Sequence, residues 1–143
     1  MKVQVGKEFK MSLKVKNAKD YFESGAVIMW TADKLKYNGI ESGDFLGESA
    51  NFFPGNKQHF EQKDAVTFAY RLPEGFPAKT GDGVVCIVAF KALSVGTVTF
   101  EFRNGQVRDA SLALVESKFD EFVFDLLGTE NVNVHYFEIE IVQ

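Results

Sequence analysis

An all-β fold, an antiparallel β-sandwich with one short helix toward its C-terminal end, is what this sequence predicts, and three observations predict it. First, apolar and polar residues alternate over short runs. Phe9, Met11, Leu13 and Val15 are separated by Lys10, Ser12, Lys14 and Lys16, a period of two that sets one row against a core and the other in water. Second, residues 83–90 (GVVCIVAF) are almost wholly apolar, as in a strand covered on both faces. Third, Gly, Pro, Asn and Asp punctuate the runs with no strand–helix–strand rhythm, which points away from a parallel sheet. At 143 residues the chain suits a single domain over 1–143, one that buries roughly two-thirds of the surface its unfolded form exposes.

Residues 9–16 are the first clear strand. Asn17, Ala18, Lys19 and Asp20 then read as a turn, and residues 25–30 (GAVIMW) as the next strand. Leu35 and Tyr37 suggest a short edge segment, and the Gly and Asp content of residues 38–47 marks a loop. Phe52 and Phe53 form a brief strand that ends in a Pro54-Gly55 turn. Val66, Phe68 and Tyr70 alternate with Thr67, Ala69 and Arg71 in a further strand. Residues 72–82 hold Pro73, Pro77 and Gly75 and are expected to be an exposed loop that closes on a Gly81-Asp82-Gly83 turn. Val98, Phe100 and Phe102 alternate again, and Asn104-Gly105 signals a tight turn.

After Ser111 the pattern changes. Phe119, Phe122, Val123, Leu126 and Leu127 recur at three- and four-residue spacing, Ser117 and Asp120 resemble a capping box, and Gly128 supplies a stop. The spacing predicts an amphipathic helix within residues 113–130; its rival is a strand over Phe122, Val123 and Phe124, which are β-formers. Phe137, Ile139 and Ile141, set against Glu138 and Glu140, give the last strand.

Composition excludes several functions. Net charge is −4 with acidic and basic residues interleaved, the opposite of a nucleic-acid footprint. Cys86 is the only cysteine, so no intrachain disulfide forms, and its apolar strand suits a buried structural thiol. The two histidines, His59 and His135, have no second ligand at metal spacing. No G-x-S-x-G elbow, phosphate-binding loop or D-x-D-x-D-G calcium loop is present, so neither a catalytic site nor a cofactor is expected. Glu138 and Glu140 read as a solvated strand face rather than a catalytic pair. Residues 1–7 are not followed by an apolar stretch, so no signal peptide is expected, and no run is long enough to span a membrane. Phenylalanine is the anomaly, at fifteen residues, divided between a sandwich core and aromatics held out for a partner.

Several segments in order resemble cohesin modules over about residues 2 to 112. Val5-Gly6-Lys7-Glu8-Phe9 resembles the family's "V-G-x-x-F" opening, and residues 13–18 (LKVKNA) its "V-x-V-x-N" strand and turn. Trp30-Thr31-Ala32-Asp33-Lys34-Leu35 stands where the family has "Y-D-P-x-x-L", and Gly43-Asp44-Phe45-Leu46 is similar to "G-D-x-L". Gly81-Asp82-Gly83 leading to Phe90-Lys91-Ala92, then a Gly96-led strand, completes the match. The resemblance implies a jelly roll of about nine strands, in the wider superfamily that includes carbohydrate-binding modules, that does no chemistry and binds a calcium-bearing dockerin, the calcium belonging to the dockerin. The chain departs from that pattern at the expected dockerin contacts: Ser24 and Ala26 stand in place of polar Asn and Asp, and Trp30-Thr31 in place of Tyr-Asp. Residues 112–130 are also longer than the family's usual connection to the last strand.

Non-catalytic binding is therefore the expected class. An acidic, Phe-rich sandwich with neither linker nor export signal suits a structural subunit of a larger assembly, such as a phage capsid decoration, neck or tail component. Its partners would be capsid or tail proteins, or further copies of itself, and Phe52, Phe53, Phe76 and Phe119 would be covered only in the assembly. The alternative is a secreted cohesin module that binds a dockerin on the sheet face carrying Ser24, Ala26, Thr67 and Ala69. A carbohydrate-binding module comes third, because Trp30 ends an apolar strand and the tyrosines form no row. Nucleic acid and membrane are not expected partners. The location would be the virion under the first reading and extracellular, as a piece of a scaffold, under the second.

Overall fold

The structure, a computed structural model, describes residues 1–115, 123–126, 129–131 and 136–143. Twelve strands are present among them: β1 (Lys2–Gln4), β2 (Glu8–Tyr21), β3 (Glu23–Thr31), β4 (Leu35–Ser42), β5 (Asn51–Pro54), β6 (Gln58–Phe60), β7 (Lys63–Arg71), β8 (Lys79–Ala92), β9 (Gly96–Arg108), β10 (Val123–Leu126), β11 (Thr129–Asn131) and β12 (Tyr136–Val142). They form two sheets. The larger has seven strands in the order β1-β12-β9-β3-β7-β5, with β6 also paired to β7; the smaller has five, β11-β10-β2-β8-β4. Only the terminal β1–β12 pair is parallel among these pairings. The chain is an all-β sandwich, as the alternation requires.

The core lies between the sheets. Met11 and Leu13 of β2 and Val88 and Phe90 of β8 meet Ile28 and Trp30 of β3, Val66 and Phe68 of β7 and Phe100 of β9. Phe90 is the centre of an aromatic cluster: its ring lies 5.0 Å from Trp30, 5.6 Å from Phe100 and 5.7 Å from Phe9. Tilted and edge-on contacts of this kind set the positive ring edge against a negative face. Phe100 in turn stacks on Phe137 at 5.0 Å.

Several sequence expectations are corrected by long-range pairing. Residues 17–20 are not a turn, because β2 continues to Tyr21. Asn17 (φ 56°) and Asp20 (φ 54°) take left-handed conformations where the β2–β8 register shifts, so these are bulges. Asn104 (φ 56°) does the same within β9 opposite the shift between Gly25 and Val27. The loop expected over residues 72–82 is shorter, since β8 begins at Lys79 and Gly81 pairs with Ala18. Residues 38–42, expected as part of a loop, belong to β4.

Strand β8 is not covered on both faces. Ile87 and Ala89 are half-exposed on its outer side. A bulge accounts for two adjacent buried residues within the run: Leu13 pairs with Cys86 and Lys14 with Val84, leaving Val85 as the extra residue, so that Val85 and Cys86 are both fully buried. The expected helix is also corrected where the chain is described. Val123–Leu126 is a strand paired to β2, the rival reading, and Lys14 Nζ donates to Asp125 at 2.7 Å beside it. Over Val123–Leu126 the edge of β2 supplies inter-strand hydrogen bonds to residues that include β-formers, whereas a short helix is marginal without packing. Residues 116–122 and 127–128 of the expected helix lie outside the described residues.

Candidate partner-docking face

The outer face of the large sheet is built by a one-residue step. In β3 every even-numbered residue from Ser24 to Trp30 is buried, while Gly25, Val27 and Met29 point outward and are half-exposed. Register then places Gly25 beside Ala69, Val27 beside Thr67 and Met29 beside Ala65 on β7. Phe53 of β5 flanks Ala69, and Arg103 of β9 flanks Val27. Around Gly25, Val27, Thr67 and Ala69 the face is thus a shallow floor of small side chains, with one large aromatic, Phe53, standing 57% exposed at its edge.

A charged rim borders the floor. Lys63 Nζ donates to Glu101 Oε1 at 2.6 Å, and Arg103 Nη2 lies 2.9 Å from Glu101 Oε2. The Lys63 hydrogen bond, then the charges of Lys63 and Arg103, hold the Glu101 carboxyl below its ordinary range against the opposing effect of burial. At the β6 corner, His59 Nδ1 lies 2.7 Å from Asp64 Oδ1, with Lys57 3.8 Å from the other oxygen.

The residues singled out from sequence separate into groups. Thr67 and Ala69 are on this face, as expected. Ser24 and Ala26 are not: they pair with Tyr70 and Phe68 on the core side, are only 4% and 7% exposed, and Ser24 Oγ accepts the Tyr21 hydroxyl. The face expected to carry all four was out of register by one residue on β3. Phe52 is half-buried, stacked on Phe68 at 5.8 Å, so it belongs to the core margin. Phe76 is 44% exposed in the β7–β8 loop, away from the floor residues in register. Phe119 lies outside the described residues. Gly25, Val27 and Met29 were missed although the alternation of Ala26, Ile28 and Trp30 marks them as the opposite face.

Two further interior groups, Tyr70 and Cys86, sit in structural surroundings. Tyr70 Oη donates to Gly43 O at 3.1 Å and accepts from Leu46 N at 2.9 Å, fixing the loop after β4. Burial pushes the Cys86 thiol well above its ordinary value, the reverse of what a nucleophile needs. Trp30 is 1% exposed and Tyr21 and Tyr70 are buried, which removes them as a sugar-stacking platform. Among the described residues no group of three or more His, Cys, Asp or Glu is placed to hold a metal ion.

No protein-family model and no curated protein sequence matches the chain. Solved structures do. A non-cellulosomal cohesin from the archaeon Archaeoglobus fulgidus superposes with a TM-score of 0.63 at 14% identity, over 99% of this chain and 86% of that one. A chain of a type I cohesin–dockerin complex from Clostridium thermocellum gives 0.65 at 18% identity, over 99% and 93%. The cohesin module of a family 33 glycoside hydrolase from Clostridium perfringens gives 0.66 at 12%, over 98% and 89%. The two-sheet sandwich and these superpositions together establish that the chain has a cohesin-like fold.

Proposed function

We propose that this chain is a non-catalytic protein-binding module that receives a dockerin-type partner on the outer face of β9, β3, β7 and β5. The observation that carries the proposal is the floor formed by Gly25, Val27, Thr67 and Ala69, where small side chains let a partner's backbone or helix approach the sheet closely. Phe53 beside it is the kind of exposed aromatic that anchors an interface, and the Glu101, Lys63 and Arg103 rim sets its orientation. The fold is shared with cohesins, several of them solved in complexes with a dockerin. The virion-subunit reading drawn from the sequence gains nothing from the similar structures, which are cohesin modules.

Isothermal titration of the chain with a panel of type I and type II dockerins, in calcium and again in chelator, tests the proposal. Calcium-dependent binding of at least one dockerin at micromolar or tighter affinity is the expected result. Absence of heat with every member of the panel would refute it.

A further inference from the structure

At the end of the sandwich where β7 leaves for β8, a cleft of about 520 Å3 is lined by Phe22, Arg71, Glu74, Phe76, Pro77 and Leu112. Its size is that of a pocket for a small ligand or one large side chain. Phe22 is the floor, 3% exposed, and its backbone ties the two walls together: Phe22 N donates to Arg108 O at 2.9 Å and Leu72 N donates to Phe22 O at 3.0 Å. The first wall is a turn closed by Phe76 N donating to Pro73 O at 3.2 Å, with Gly75 at φ +89°. It leaves Phe76 exposed.

The second wall is held by Asp109. Its Oδ1 accepts from Ser111 N at 2.9 Å, Ser111 Oγ at 2.7 Å and Ala113 N at 3.0 Å, and Arg108 Nη1 donates to Leu112 O at 2.9 Å. These bonds keep Leu112 at φ +65°, a left-handed conformation that leucine resists, with its side chain 43% exposed. Two apolar residues are therefore displayed to water on tied-down loops across from each other. The Arg71 guanidinium lies 6.0 Å from the Phe22 ring centre and forms no ion pair among the described residues, although Glu23 is its cross-strand neighbour and Glu74 shares the cleft.

We infer that this cleft is a second binding site, which takes an aromatic side chain carried next to a single carboxylate on a partner protein. The ring enters between Phe76 and Leu112 over Phe22, and the carboxylate meets the unpaired, aromatic-backed Arg71, whose planar fork suits it. Glu74 on the same rim disfavours ligands with more than one negative charge.

The test is an amide-resolved NMR titration of the 15N-labelled chain with N-acetyl-L-phenylalanine, and with N-acetyl-L-phenylalaninamide, which keeps the ring and lacks the charge. The expected result is saturable shifts at Gly75, Phe76, Ala110 and Leu112 with millimolar affinity, weakened about tenfold by the amide probe and by Arg71→Gln. Phe76→Ser, with an unchanged melting temperature, should remove the shifts. No saturable shift at these positions, or equal binding of the two probes, overturns the inference. Self-association in sedimentation velocity that Phe76→Ser abolishes and the probe leaves untouched overturns it too, because the occupant would then be a second copy. None of these readouts involves a dockerin, so the site stands or falls independently of the sheet face.

Discussion

Gly25 and Ala69 lie directly opposite one another on β3 and β7, and between them they present the sheet backbone with almost no side chain over it. A Cβ on Gly25 would sit 3.1 Å from the Phe68 carbonyl oxygen, so even alanine there crowds the neighbouring strand. The flatness of the floor follows from this pair together with Val27 and Thr67, and the proposed docking role rests on it.

Arginine at outward and inward positions of this region should behave in opposite ways. Val27→Arg and Ala69→Arg put a long charged chain on a half-exposed surface, so stability should change by no more than about 0.5 kcal/mol while partner affinity falls about a hundredfold or more. Ala26→Arg forces a charge into the core beside Phe68 and should cost about 3–5 kcal/mol. Urea melts of the three variants, followed by titration with a dockerin that binds the wild type, separate these effects.

The phenylalanines divide in the same way. Phe90, fully buried and in ring contact with Phe9, Trp30, Tyr37 and Phe100, should lose about 3–5 kcal/mol on change to alanine. Phe53→Ala should leave the denaturation midpoint nearly unchanged and weaken partner binding, since its ring is exposed beside the floor.

How far the chain could be read from its sequence depends on what each signal encodes. Alternation in Phe9–Val15 and in Phe137–Ile141 reports a local preference for one buried face, and the structure has those strands. Asn17, Asp20 and Asn104 report only tolerance of positive φ, which serves a turn and a bulge equally well. Whether the chain reverses there depends on distant partners such as Gly81 opposite Ala18, and nothing local encodes that pairing. The outer face of the large sheet was half legible: Thr67 and Ala69 face outward as expected, but β3 was read one residue out of step, and a period-two pattern turns such a slip into a change of face. Val123–Leu126 carried both helical spacing and β-forming residues, and the choice was made by the free edge of β2.

Acid should weaken the rim selectively. The folded-state pKa of Glu101 lies below the ordinary value of about 4.5, first through the Lys63 hydrogen bond. A depressed carboxylate contributes stability that is fully present above that ordinary value and is lost as pH falls through the folded one. Wild type should therefore exceed Glu101→Gln by about 0.5–1 kcal/mol near neutrality, and the gap should close on acidification below about pH 4. Urea midpoints of the two proteins across that range check the sign; a gap that widens in acid contradicts it.

Cys86 should be silent in the native state. It is fully buried and burial raises its thiol pKa, so both access and thiolate population are low. An aromatic disulfide reagent should label less than a small fraction of native protein over the time in which urea-unfolded chain is labelled completely. Rapid stoichiometric labelling without denaturant would show that the interior behind β8 is open to solvent.

The docking face itself is tested most directly by mapping the footprint of a bound dockerin on this chain with amide-resolved cross-saturation. Saturation centred on Gly25, Val27, Thr67, Ala69 and Phe53, with Ile87, Ala89 and Lys91 on the opposite sheet unaffected, is the expected result. A footprint centred on β2, β8 and β4 instead would contradict the assignment.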